Sequence, residues 1–171
     1  HQDIEIISYV KKGSIEHKDS MGNIENLPSG EFQLMTAGSG VTHSEYNPSD
    51  TEPLEFLQIW VQPNVLGIEP GYQQKRFGSQ NGLQLIASPD ARQGSLLIHQ
   101  DTSLYQLRLA ADEQASLEAE HSRTVYVHVV GGSLRVNEVL LYEGDGATIS
   151  EHQLVGFVAE SDAEALVFDL P

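Results

Sequence analysis

The 171-residue sequence predicts an all-β protein built as two similar lobes, each a sandwich or jelly roll. Three observations carry that expectation. Short segments of alternating apolar and polar residues recur along the chain between Gly, Pro, Asn and Asp, as half-buried strands between turns do. A strand, Gly turn and strand occur twice. No stretch carries a convincing 3.6-residue apolar period.

In order, Ile4, Ile6 and Ser8 alternate with Glu5, Ile7 and Tyr9, so the opening strand is apolar on both faces. Residues 14–18 follow a Lys12-Gly13 turn, and Asp19-Ser20-Met21-Gly22-Asn23 reads as a hairpin turn. Residues 31–36 and the run LEFLQIWVQ at 54–62 are the next strong strands. LQLIAS at 83–88, SLLIH at 95–99 and LYQLRLA at 104–110 follow. The last third offers TVYVHVV, SLRVN, VLLYE, ATIS, LVGFVA and EALVFDL. Residues 111–120 (ADEQASLEAE) contain good helix formers, yet Ala115, Leu117 and Ala119 alternate, which favours a strand.

The repeat aligns Val10-Lys11-Lys12-Gly13-Ser14-Ile15 with Val129-Val130-Gly131-Gly132-Ser133-Leu134. Pro28-Ser29-Gly30-Glu31 is echoed by Tyr142-Glu143-Gly144-Asp145. The alternative is two unrelated hairpins with ordinary Gly turns. The stretch from Pro63 to Gly82 has little apolar periodicity and reads as a connector. The expected organisation is a first lobe over 1–64, a connector over 65–86 and a second lobe over 87–171.

A chain of this size buries roughly 70% of its unfolded surface and needs no staples. It has no cysteine, which removes disulfides, thiolate metal sites and thiol nucleophiles and suits a reducing cytosol. No apolar run approaches the ~20 residues of a membrane helix, and no basic-then-apolar leader is present. A soluble, cytoplasmic protein is expected. Twenty-five acidic against nine basic residues give a net charge of −16, which repels a phosphate backbone and argues against nucleic-acid binding. The first residue is His, and HQDIEIISYV reads as a strand with no loop before it, so an N-terminally incomplete chain is expected.

The candidate chemistry lies in Gly38-Ser39-Gly40-Val41-Thr42-His43-Ser44-Glu45-Tyr46-Asn47. On a strand His43 and Glu45 face the same way, and an imidazole and a carboxylate there can share one divalent ion. His1 adds a second imidazole if a jelly roll brings its strand alongside. Two imidazoles and a carboxylate form the donor set of facial-triad non-haem iron sites. Asp3 and Glu5 share the face of His1 on a regular strand, as reserve ligands or as acceptors that orient an imidazole. His17, among Glu16, Lys18 and Asp19, reads as solvated. His99 reads as structural, His121 as surface and His128 as a core or face residue. His152 falls in the second repeat copy without matching partners.

The runs HQDIEIISYVKKGSIEHKDSMGN, LPSGEFQLMTAGSGVTHSEYNP and LQIWVQP resemble the first cupin lobe of the pirin family, most of all its bacterial bicupins of the quercetin 2,3-dioxygenase type. ASPDARQGSLLIHQD and ALVFDLP resemble the second lobe, so the resemblance spans nearly the whole chain. It implies a double-stranded β-helix bicupin with one metal in its first lobe, held by three His and one Glu. Two of those His come from a His-Pro-His motif, and His1 stands where its second His would be. His1, His43 and Glu45 are then the expected ligands, three of four, in a first lobe incomplete at its N-terminus. No metal site is expected in the second lobe.

The implied function is a metal-dependent dioxygenase that opens the flavonol ring with O2. Glu45 would be both ligand and proton acceptor, and a flavonol-like substrate and O2 would be the partners. The implied cofactor is one divalent transition metal, iron(II) first, with Mn, Co, Ni, Cu and Zn left open. Ile6, Phe32, Leu34 and Trp60 are expected either to line the barrel or to form plain core. The alternative is a metal-containing redox-sensing or regulatory binding protein with no enzymatic role, for which a protein partner is implied.

Overall fold

The computed structural model describes residues 1–151 and 154–171; His152, noted above, lies outside the described residues. The strands follow in order. First come β1 (Glu5–Lys12), β2 (Ser14–Asp19), β3 (Ile24–Pro28), β4 (Glu31–Thr36), β5 (His43–Tyr46) and β6 (Glu55–Val61). Next are β7 (Gly71–Arg76), β8 (Gly82–Ser88), β9 (Leu96–Leu97), β10 (Ser103–Leu109) and β11 (Gln114–Glu118). The last are β12 (Thr124–Gly131), β13 (Ser133–Val136), β14 (Val139–Tyr142), β15 (Gly146–Ser150), β16 (Leu154–Ala159) and β17 (Ala163–Leu170). One 3-10 turn, Arg92–Gly94, is the sole helical element among the described residues. The chain is all-β, and the ambiguous segment 111–120 forms strand β11.

Two compact units result, residues 1–77 with 89–100 and residues 78–88 with 101–171. Residues 65–86, read above as a connector, give β7 to the first unit and β8 to the second. The polar sequence of β7, GYQQKR, hides it from a search for apolar alternation.

The first unit sets an antiparallel sheet β6-β1-β4-β7 against a smaller sheet β3-β2-β5. Its interior is layered. Val10, Ile15 and Leu27 close one apolar cluster with Leu54 against it, and Ile6, Met35, Ala37 and Val41 form another. Between them β1 offers Ser8, β4 offers Gln33 and β6 offers Gln58, paired in register as Ser8↔Gln33 and Ser8↔Gln58. Alternation sends Phe32 and Leu34 to the opposite face of this sheet. There Phe32 stacks on Tyr9 at 4.5 Å and meets Phe77 edge-on at 5.9 Å. Of the four apolar residues considered as barrel lining, only Ile6 and Trp60 share the face of Ser8. Among the described residues β6 pairs with β1 alone.

The second unit repeats this plan. The strands β15-β12-β17 correspond to β4-β1-β6, and β14-β13-β16 to β3-β2-β5. In this unit β17 pairs on its other side with β10, and β16 with β11. The repeat is exact in small details. Gly30 N–H donates to Val10 O at 3.1 Å, and Gly144 N–H donates to Val129 O at 2.9 Å. The β1/β6 ladder shifts register between Val10 and Lys12, the β12/β17 ladder between Val129 and Gly131. Gly13 (φ +81°) and Gly132 (φ +75°) turn the chain between those strands with a backbone pressed against them. A Cβ would sit 2.7 Å from Pro53 O at Gly13 and 2.0 Å from Asp162 O at Gly132.

These contacts set an expectation. Gly132→Ala should cost more than about 2 kcal/mol, the left-handed strain plus a backbone collision. Gly22→Ala, also at positive φ but with open space around it, should cost only the strain of about 1 kcal/mol. Urea midpoints of the two variants compare them; equal losses would remove the close approach as the reason for glycine.

Candidate metal centre

The site forms where β2 and β5 pair. Register places His17 opposite Glu45 and Asp19 opposite His43, so two alternating pairs face the interior together. His17 is fully buried, which corrects the reading of it as solvated. Its charged neighbours in sequence obscured an alternation of Ile15, His17 and Asp19 that points all three inward. Asp19 closes the β2–β3 turn, its Oδ1 accepting from the backbone N–H of Met21 (2.9 Å) and Asn23 (3.1 Å). Its Oδ2 accepts from Asn23 Nδ2 at 2.9 Å and lies 2.8 Å from His17 Nε2. The turn thereby orients the imidazole.

Glu45 reaches across to the larger sheet. Its Oε1 accepts from Ser8 Oγ at 3.1 Å and Gln33 Nε2 at 2.7 Å, and its Oε2 from Gln58 Nε2 at 2.8 Å. Both amides are themselves oriented. Trp60 Nε1 donates to Gln58 Oε1 at 3.1 Å, and Tyr72 Oη lies 3.1 Å from Gln33 Oε1.

Charge follows from these contacts. Burial pushes the Glu45 carboxyl up, but hydrogen bonds from His17, Gln33 and Ser8 and the field of His43 outweigh it and hold the pKa below the usual carboxylate value. For His17 burial opposes the charge, yet Glu45 and Asp19 win and its pKa is raised. His43 is lowered, chiefly by burial, with Glu45 opposing and His17 adding to the effect. His43 is thus kept neutral, the form in which imidazole binds metals. Burial and the surrounding carboxylates push the Tyr72 phenol well above its ordinary range.

Ligand atoms of His17, His43 and Glu45 lie within 4.8 Å of one another. His43 Nδ1, 4.0 Å from Glu45 Oε1, is buried without a hydrogen-bond partner. An orphaned lone pair beside a carboxylate fits a divalent ion. His1 is exposed, its ring 5.0 Å from that of His43 and 5.3 Å from that of Trp60. It precedes β1, and Asp3 has φ +49°, so strand alternation does not relate His1 to Asp3 and Glu5. Asp3 Oδ1 instead accepts from Gly67 N–H at 2.7 Å. Glu5, on the face opposite Ser8, is buried 3.2 Å from Thr36 Oγ1 and 3.4 Å from His99 Nδ1.

The repeat supplies an internal control. Pairing equates Ser8, Gln33 and Gln58 with Val127, Ala147 and Val167. It likewise equates His17, His43 and Glu45 with Val136, Val155 and Phe157. All six counterparts belong to or pack against the apolar core of the second unit. One scaffold carries a polar centre in one copy and a hydrocarbon centre in the other.

Comparison with known proteins agrees with this division. The Pirin family profile matches residues 1–61, and the profile of the quercetinase C-terminal cupin domain matches residues 85–170. The chain is 50% identical over 171 residues to the quercetin 2,3-dioxygenase of Escherichia coli K12, covering all of this chain and 74% of that protein. It belongs to the pirin family. The crystal structure of YhhW from Escherichia coli superposes with a TM-score of 0.98 at 50% identity, covering all of this chain and 73% of that one. The bacterial pirin YhhW in complex with nickel(II) does so with a TM-score of 0.96 at 49% identity, covering 100% and 74%. A metal is therefore bound in a close structural relative, and the cupin fold of this pirin is secure.

The His17–Asp19 pair makes a pH-dependent contribution. The His17 pKa is raised, so its ion pair stabilises fully below the ordinary value of 6.5 and fades as pH rises through the folded value. Asp19→Ala should destabilise metal-free protein by about 3 kcal/mol near pH 6, and by less near pH 9. Urea unfolding at the two pH values reads the difference; a loss that grows with pH would mean that His17 is neutral when folded.

Proposed function

We propose that this pirin holds one divalent transition metal through His1, His43 and Glu45, and that it is a flavonol dioxygenase of the quercetin 2,3-dioxygenase type. The observation that carries the reading is His43: a half-buried imidazole whose Nδ1 is itself buried and unpartnered beside a fixed carboxylate. The 50% identity to a protein of that name supports the reaction, and nickel in YhhW supports the metal. Iron(II) suits two imidazoles and a carboxylate in oxygen chemistry, with nickel as the first alternative. His17 is not counted as a ligand, because its Nε2 is paired with Asp19 Oδ2 at 2.8 Å and its Nδ1 lies 3.5 Å from Gln33 Nε2.

A metal bound there supplies Lewis acidity that lowers the pKa of a flavonol hydroxyl, and open positions for substrate and O2. The chain's own residues do the rest. Oε1 of Glu45 already takes two hydrogen bonds while Oε2 takes one, so Oε2 is the atom free to accept the hydroxyl proton. The contacts that depress the Glu45 pKa keep it ionised and ready, at the cost of basicity, so deprotonation relies on the substrate hydroxyl being acidified. The overall change adds both atoms of O2 to the flavonol, opens its central ring and releases carbon monoxide.

Oxygen uptake with quercetin after iron reconstitution tests the reading. Uptake should be lost in His43→Ala and fall at least about 100-fold in Glu45→Gln. One bound metal per chain with no uptake would overturn the dioxygenase and favour a redox-sensing or regulatory binding protein. Nickel titration calorimetry tests the ligand set: His43→Ala should abolish binding, and His17→Asn should weaken it about 10–100-fold. Undiminished affinity in His1→Ala would remove His1 from the set and put His17 in its place.

A further inference from the structure

We propose that Trp60 couples substrate recognition to Glu45: its exposed indole face takes the flat ring of an aromatic substrate, while its N–H, through Gln58, holds the Glu45 carboxylate in place. This rests on the flavonol reading and names the residue that selects the substrate class.

Trp60 is the only tryptophan in the sequence and is 58% exposed, and its N–H donates to the side chain of Gln58, two residues back on β6. Indole nitrogen can only donate, so Gln58 must present its oxygen to Trp60 and its NH2 group to Glu45 Oε2. A flipped amide would set two donors against each other and leave Oε2 without a donor. Trp60 thus fixes the donor to Oε2, while Ser8 and Gln33 hold Oε1. Much of the ring is open to solvent. It forms a T-shaped pair with His1 at 5.3 Å between centroids, and His1 in turn stands beside His43. Phe56, four residues back on the same face of β6 and 39% exposed, extends the apolar surface past Gln58. A planar ligand laid on Trp60 therefore borders the proposed ligands with its edge and covers the Trp60–Gln58 hydrogen bond from water. Offset stacking on an indole is the geometry such rings prefer.

Two variants separate the roles. Trp60→Phe keeps a ring face and loses the donor; Trp60→Leu loses both. With nickel-loaded protein under anaerobic conditions, quercetin should quench wild-type Trp60 emission. By calorimetry Trp60→Leu should bind quercetin about tenfold more weakly, while Trp60→Phe stays within about twofold of wild type. In turnover Trp60→Phe should lower kcat with little change in KM. The EPR spectrum of copper(II)-loaded protein should shift in Trp60→Phe and in Gln58→Leu alike, because both disturb the donor to Glu45 Oε2. Equal quercetin affinity in Trp60→Leu and wild type, or an unchanged copper spectrum in Trp60→Phe, would overturn the inference alone. Wild-type protein that holds its metal and binds no quercetin would overturn the flavonol reading and this inference with it.

Discussion

The ionised carboxylate of Glu45 is the constraint around which the first unit is arranged. A buried carboxylate is costly unless its lone pairs are met. The fold meets them with one donor from each of β1, β4 and β6, and with the His17 imidazole of β2 alongside at 3.8 Å. The donors in turn need partners, which brings in Trp60, Tyr72 and Asp19, so the polar network reaches into both sheets. Such a network is worth having only when complete. Among the described residues one buried side-chain atom is left unmet, His43 Nδ1, and it is there that the proposed metal would complete the network.

The second unit shows what the scaffold does without that demand. With Val127, Ala147, Val167, Val136, Val155 and Phe157 at the same positions, the centre closes as an ordinary hydrocarbon core. The metal-binding potential of this pirin is therefore not a property of the jelly roll. It comes from His1 and the polar side chains set at positions that the second unit fills with hydrocarbon.

Much of this was legible in the sequence, because strand alternation and glycine turns are local signals. The two-residue spacing of His43 and Glu45 placed both on one face, and the Gly13/Gly132 repeat announced two copies of one plan. His17 was illegible for a physical reason: Glu16, Lys18 and Asp19 resemble a solvated hairpin unless Ile15 is taken to set the inward phase. Ser8, Gln33 and Gln58 were missed similarly, since an isolated polar residue in an apolar strand says nothing about what lies across the barrel. The relation of His1 to its neighbours failed at Asp3, where a positive φ interrupts the alternation that a regular strand would have kept. For Phe32 and Leu34 the choice between barrel lining and plain core stayed open because β4 is buried on both faces; the structure makes them core on the face opposite Ser8.

The close approach at Gly13 and Gly132 bears on how two copies of one plan can diverge. In each unit a backbone oxygen lies within collision distance of any Cβ placed at that turn, so a side chain there is resisted whatever the centre of the lobe contains. The six positions that face the centre carry different side chains in every pair between the two units. Sequence drift is thus unequal within one chain, free at the centre and held at the turn that sets its register.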